Sequence, residues 1–280
     1  LYQRVSGGHL ARDKDRELEE IFSYGMDRKA RRIYFGLHPI EEGEDSGDVS
    51  WASVEQAIRN MHILVRDSAT KPIELHAYSW GGDVYAMLRM IDEIEACPCQ
   101  IRFFGGGRIA SAMTWIMAVC DERNIHKNSW IMLHDGSDGM DGKHTDVQID
   151  ARHGKDIQDR CDEIFVENSR MPLEFWQDIL QRDVFVTPEE CIRLGLADRI
   201  IAPKKRGNLR RARIAIQSKE VDTKEMRKLV NDLYRRINRK KVGKIEINPP
   251  RKEEVDPHVY VEENLPTEQP QVEPLKKSEE

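Results

Sequence analysis

One hydroxyl stands out by its surroundings. Ser111 lies in "GGRIASAMTW", where a strand-like run, "CQIRFFGG", gives way to small residues and then to an apolar helix-like run, "SAMTWIMAV". Gly105, Gly106 and Gly107 predict a sharp turn between the two, since glycine reaches backbone conformations closed to other residues. Ser111 then falls in the first turn of a helix, where unpaired N–H groups and the dipole favour negative charge. A nucleophile whose attack creates an oxyanion suits that position, and Ala110 and Ala112 leave the approach open. A helix N-cap is the plainer use of a serine there. A second strand–glycine–helix junction, "ELHAYSWGGDVYAM", carries Gly81 and Gly82. Two such junctions on adjacent strands would aim two sets of N–H donors at one edge, as an oxyanion hole requires. A phosphate cradle is the competing use, although neither junction has a P-loop lysine or the GxGxxG spacing. A base is also needed. His134 ends the strand-like run "SWIMLH" before the loop "DGSDG", the kind of strand end at which α/β folds display chemistry. Taken alone it reads as a structural histidine. Asp183, in "LQRDVFVTPEECIRLGLAD", offers a carboxylate to orient it, and alone reads as a solvated or capping residue.

Positioning these groups takes strands and helices in alternation. "RRIYFG" and "PIELHAY" have strand character. "SWASVEQAIRNMHILV" places Trp51, Val54, Ile58, Met61 and Val65 on one helical face, and "GDVYAMLRMIDEIEA" does the same with Val84, Met87, Leu88, Ile91 and Ile94. "SAMTWIMAV" is apolar on all sides, which predicts a buried helix. "TDVQIDARHGKDIQDRCDEIFVENSR" is long and polar, and predicts a helix on which His144 and His153 are solvated. The alternation predicts an α/β domain over residues 31–203, preceded by an N-terminal arm over residues 1–30.

Beyond that domain the character of the chain changes. Residues 204–241 hold fifteen Lys/Arg against four Asp/Glu, in a chain whose net charge is −6. Within "VDTKEMRKLVNDLYRRINRKK", Asp222 and Glu225 resemble a capping box. Met226, Leu229, Val230, Leu233 and Ile237 form an apolar stripe. A basic helical extension over residues 204–243 follows, expected to pack on its own domain or on a neighbouring subunit. Binding of an acidic surface competes with that use; without base-reading motifs, nucleic acid is not an expected partner. Residues 244–280 are rich in proline and glutamate and predict a disordered acidic tail.

Composition narrows the remaining classes. Of 280 residues, 39% are hydrophobic and 34% charged, with a mean hydropathy of −0.66; a core is supported over part of the chain only. No run approaches the ~20 apolar residues that a membrane helix needs, and the first residues have no apolar signal core. The five cysteines fit no disulfide or metal framework, which predicts reduced thiols and a cytoplasmic setting. No metal and no cofactor are expected.

Four motifs in order resemble the ClpP family of self-compartmentalising serine peptidases, from about Arg31 to Pro203. "SWGGDV" resembles the family's Ser-Pro-Gly-Gly turn, "GRIASAM" its nucleophile segment, "IMLHDG" its histidine segment, and "RDVFVTPEECIRLGLAD" its Asp-x-Phe segment. "GKHTDVQIDARHG" is similar to the strand and helix of the handle through which two rings meet. The resemblance implies a repeated β-β-α superhelix with a handle helix. It also implies a catalytic triad of Ser111, His134 and Asp183, with the backbone N–H groups of Gly82 and Ala112 as the oxyanion hole. Gly81 and Trp80 would line the substrate groove. Trp80 stands where the family has proline, Ala112 where methionine is usual, and "HPIEEGEDSGDVSW" is longer than the usual connection. The expected activity is endoproteolysis of unfolded polypeptides inside stacked seven-membered rings of this chain, fed by an ATP-driven AAA+ unfoldase. A ClpP-like viral prohead protease acting on scaffold and capsid proteins is the alternative. A non-catalytic assembly protein of the same fold ranks below it.

Overall fold

Alternation of buried and half-buried side chains along the central strands leaves one sheet face for helices and the other toward solvent. In the computed structural model, residues 18–35, 48–137, 139, 141–201, 214–217 and 223–237 are described. Residues 18–24 form a helical turn, α1. There follow β1 (Met26–Asp27), β2 (Arg32–Phe35), α2 (Trp51–Asp67), β3 (Ile73–Ser79), α3 (Val84–Ala96), β4 (Ile101–Ala110) and α4 (Ala112–Val119). Then come β5 (Glu122–His126), β6 (Trp130–Leu133), α5 (His144–Glu167), α6 (Leu173–Ile179), β7 (Val184–Val186), α7 (Pro188–Leu194) and β8 (Arg199–Ile201). Two further elements, β9 (Ile214–Gln217) and α8 (Thr223–Arg236), end the described chain. Of the expected arm over residues 1–30, residues 1–17 lie outside the described residues, as does the acidic tail.

The sheet runs β1-β2-β3-β4-β5-β8-β9, with β6 branching from β4 and carrying β7. Pairing is parallel from β2 through β5 to β8 and between β4 and β6, and antiparallel for β1-β2, β6-β7 and β8-β9. This is the α/β architecture expected, with helices as crossovers between parallel strands. All of α4 is buried, and it packs against α3, α5 and β4. The predicted helices at α2, α3, α4 and α5 are all present. On α2, Val54, Ile58 and Met61 are buried, but Trp51 sits exposed at the first turn beside the Ser50 cap. Between β6 and α5 the described residues include no strand, where the handle resemblance led one to expect it.

The three glycines do not make the predicted turn. β4 runs straight through them to Ala110. Residues Arg102–Gly105 pair with β5 and Arg108–Ala110 pair with β6, so the glycines are where β4 changes neighbour. Only Gly107 takes positive φ, at 64°. Gly105 is needed for a different reason: an added Cβ would lie 2.3 Å from Ile109 Cδ1 and 2.7 Å from Phe103 Cε1.

The apolar stripe of α8 is buried: Met226, Leu229, Val230, Leu233, Tyr234 and Ile237 all face the core. Tyr234 packs edge-on against Phe175, with ring centroids 6.3 Å apart, and its hydroxyl donates to Asp178 Oδ2 at 3.1 Å. From Phe175 aromatic contacts continue to Trp176, Phe165 and Trp115. A line of rings thus joins α8 through α6 and α5 to α4.

Candidate active site

The sharp turn belongs to Ser111 itself. Its φ is 50° and ψ −130°, a conformation that costs a non-glycine residue about 1–3 kcal/mol and persists only where its surroundings hold it. They do so from both sides. The Ser111 N–H donates to the Met132 carbonyl at 2.9 Å, and the Ser111 carbonyl accepts from the Thr114 N–H and hydroxyl at 2.8 and 2.7 Å. The serine stands at the N-cap position of α4, yet its side chain makes no capping bond. Its Oγ lies 2.7 Å from His134 Nε2 instead. The plainer N-cap use is thereby set aside.

Gly81 approaches this hydroxyl so closely that no side chain fits. A Cβ there would lie 2.5 Å from Ser111 Cβ and 2.9 Å from Oγ, and the residue holds φ +109°. The next residue, Gly82, forms an isolated parallel bridge with Val49. Val49 donates to the Gly81 carbonyl and accepts from the Asp83 N–H, each at 2.7 Å. These bonds flank Gly82, so its own N–H points away from the Val49 segment. Ala112 is the first residue of α4, and its N–H belongs to the unpaired first turn.

His134 follows β6, and the ladder determines what faces it. β6 and β7 pair antiparallel, with Leu133 opposite Val184. One step further along this ladder brings His134 opposite Asp183. His134 Nδ1 lies 4.0 Å from Asp183 Oδ1, about 1 Å beyond hydrogen-bond length. The His134 side chain is 22% exposed and that of Asp183 69% exposed. Among the described residues the Asp183 carboxylate makes no hydrogen bond. The three residues singled out in the sequence therefore meet, with the serine–histidine contact closed and the histidine–aspartate contact open.

Trp80, 60% exposed, stacks beneath Arg108, whose Cζ is 3.4 Å from the ring centroid. The register partner of Arg108 on β6 is Trp130, also exposed. Sequence reasoning passed over Arg108. Its only signal was its place within the nucleophile segment, three residues before Ser111. It also passed over Asp162 of α5, which accepts from Gln158 while Gln158 Oε1 accepts from the Gly136 N–H just past His134. Burial pushes the Asp162 carboxyl up to about 6; the Gln158 hydrogen bond opposes the shift, and Asp159 and Asp135 add to it. Burial likewise pushes the Cys161 and Cys191 thiols up to about 12, so neither carries a reactive thiolate near neutrality. Among the described residues no group of three or more His, Cys, Asp or Glu is placed to hold a metal ion, and no helix is long and apolar enough to cross a membrane.

The mostly parallel sheet, the buried helix behind the serine and the long helix α5 define a ClpP-like fold. The Clp protease family model matches residues 46–204, more than half of the chain, and the chain belongs to that family. Its general class is that of a ClpP-like peptidase, and members of the family form oligomeric rings.

Proposed function

We propose that this protein is a serine endopeptidase that cleaves unfolded polypeptides through Ser111, His134 and Asp183. The 2.7 Å contact between Ser111 Oγ and His134 Nε2, at a serine held in a strained backbone, carries the reading. His134 Nε2 takes the hydroxyl proton as Oγ attacks the substrate carbonyl carbon. The oxyanion is received by the N–H groups of Gly82 and Ala112. Collapse of the tetrahedral intermediate breaks the C–N bond. The proton passes from His134 to the leaving amine, and the acyl chain stays on Ser111. Water, deprotonated by the same imidazole, then releases the acid. Asp183 fixes the imidazole tautomer and stabilises its cation once the 4.0 Å gap closes. Catalytic contacts are commonly longer in a free enzyme than in its substrate complex. In this reading the working form is a ring of copies in the cytoplasm, with an AAA+ unfoldase delivering substrate.

Labelling with a fluorophosphonate probe tests the chemistry. The full chain should label, Ser111→Ala should not, and Asp183→Asn should label on the order of 10³- to 10⁴-fold more slowly. A folded, assembled protein that fails to label would overturn the peptidase reading.

A further inference from the structure

We infer that Arg236, at the end of α8, is a positioning residue for the catalytic acid, acting on Asp183 through the outer edge of β7. The inference rests on the triad proposed above. Asp183 has no side-chain anchor of its own among the described residues, so its distance from His134 is decided by its backbone. That backbone is held in few places. On the near side the Asp135 N–H donates to the Leu180 carbonyl at 2.7 Å. On the far side β7 pairs with β6, and among the described residues with no other strand. A three-residue edge strand is a weak ruler by itself.

Arg236 supplies the missing edge. Its Nη1 donates to the Phe185 carbonyl, two residues from Asp183, at 3.0 Å, and to Glu190 Oε2 at 3.1 Å. Its Nη2 donates to Glu190 Oε1 at 2.5 Å. Glu190 closes a capping box with Thr187 at the start of α7: the Thr187 N–H donates to Oε2 at 2.8 Å, and the Glu190 N–H to Thr187 Oγ1 at 3.3 Å. One guanidinium thus ties β7 to the first turn of α7, across the corner that ends the acid's segment. Burial would push the Glu190 carboxyl up. The Arg236 and Thr187 hydrogen bonds outweigh it and hold the group below its ordinary range, so the pair stays ionised near neutrality. Arg236 reaches this point because the buried stripe of α8 seats the helix against α6, where Tyr234 meets Asp178 and Phe175. The matched family segment ends at residue 204, so the residue that steadies the acid comes from outside it.

The test is a double-mutant cycle on the full chain, read as the second-order rate of fluorophosphonate labelling and its pH dependence. Arg236→Ala is expected to slow labelling three- to tenfold and to alter the pH profile of labelling, since the acid then holds the imidazole less firmly. In an Asp183→Asn background the same substitution should change neither quantity. Arg236→Lys, which keeps a cation but loses the fork, should fall between and serves if Arg236→Ala does not fold. Equal losses in both backgrounds would mean that Arg236 only supports the fold, and no loss in the parent would mean that β7 needs no edge; either overturns the inference. Failure of the parent chain to label, or indifference to Asp183→Asn, would instead overturn the triad on which it rests.

Discussion

Ser111 and Gly81 work as a pair: a strained backbone turns the half-buried hydroxyl toward His134, and the glycine opposite makes room for it. Gly81→Ala would drive a methyl to 2.5 Å from Ser111 Cβ at a φ of +109°. Probe labelling should fall on the order of 10²-fold, as for other displacements of about 1 Å at a reacting atom, with the far-UV circular dichroism retained. A different residue governs pH response. Asp162 holds its proton to about 6 in the folded chain, against 3.8 ordinarily. The folded state therefore binds more protons between those values, and the stability this confers is complete below about 4 and lost as pH rises through 6. Asp162→Asn should raise the melting temperature at pH 8 by roughly 2–4 °C, the equivalent of about 1 kcal/mol. Scanning calorimetry should find that gap closing toward pH 4. Ser111, His134 and Asp183 were legible as types in plausible contexts, and four motifs in order resembled a family. The 4.0 Å opening was not legible, because it depends on the β6–β7 register and on an exposed carboxylate. Asp162 was hidden too, since it reads as one more charge on a polar helix.

At the scale of elements, α8 is the part of the chain beyond the family match with the most to test. Its apolar stripe gave it away in the sequence, and its docking face is buried. Tyr234→Phe removes the hydrogen bond to Asp178 and should cost about 1 kcal/mol. A truncated chain ending at residue 201 should melt at least 5 °C lower, since several buried apolar side chains are worth more together than one hydrogen bond. An unchanged midpoint in the truncated chain would show that α8 contributes nothing to the domain's stability. Helices α2, α3 and α8 were legible because each has an apolar stripe, α4 because it is apolar all round and α5 as a long polar run, whereas the short α6 and α7 went unread. β5 was missed for the opposite reason. "ERNIH" carries Glu122 and Arg123 into the interior, and their burial is tolerable only through partners far along the chain. Arg199 donates to Glu122 at 2.8 Å, and Arg123 forks onto both oxygens of Asp198 at 2.9 and 2.7 Å. No local pattern announces such pairs. The glycine run misled similarly: flexibility was visible, but not that β4 spends it changing neighbours.

For the whole molecule, the open histidine–aspartate contact bears on assembly. If ring formation covers the loop before β7, labelling per chain should climb with protein concentration across the transition seen by sedimentation velocity. A rate that stays flat across that transition would separate the chemistry from the oligomer. The line of rings from Tyr234 to Trp115 has a consequence of an optical kind. Trp115 and Trp176 are buried within it, whereas Trp51, Trp80 and Trp130 are exposed. Acrylamide would quench the three outer indoles and leave two emitting at short wavelength. Lifting α8 takes Tyr234 from Phe175, the ring that packs edge-on against Trp176. Its emission would then move to the red while the sheet stays intact, so the protein carries its own light-emitting gauge of whether its last helix is seated.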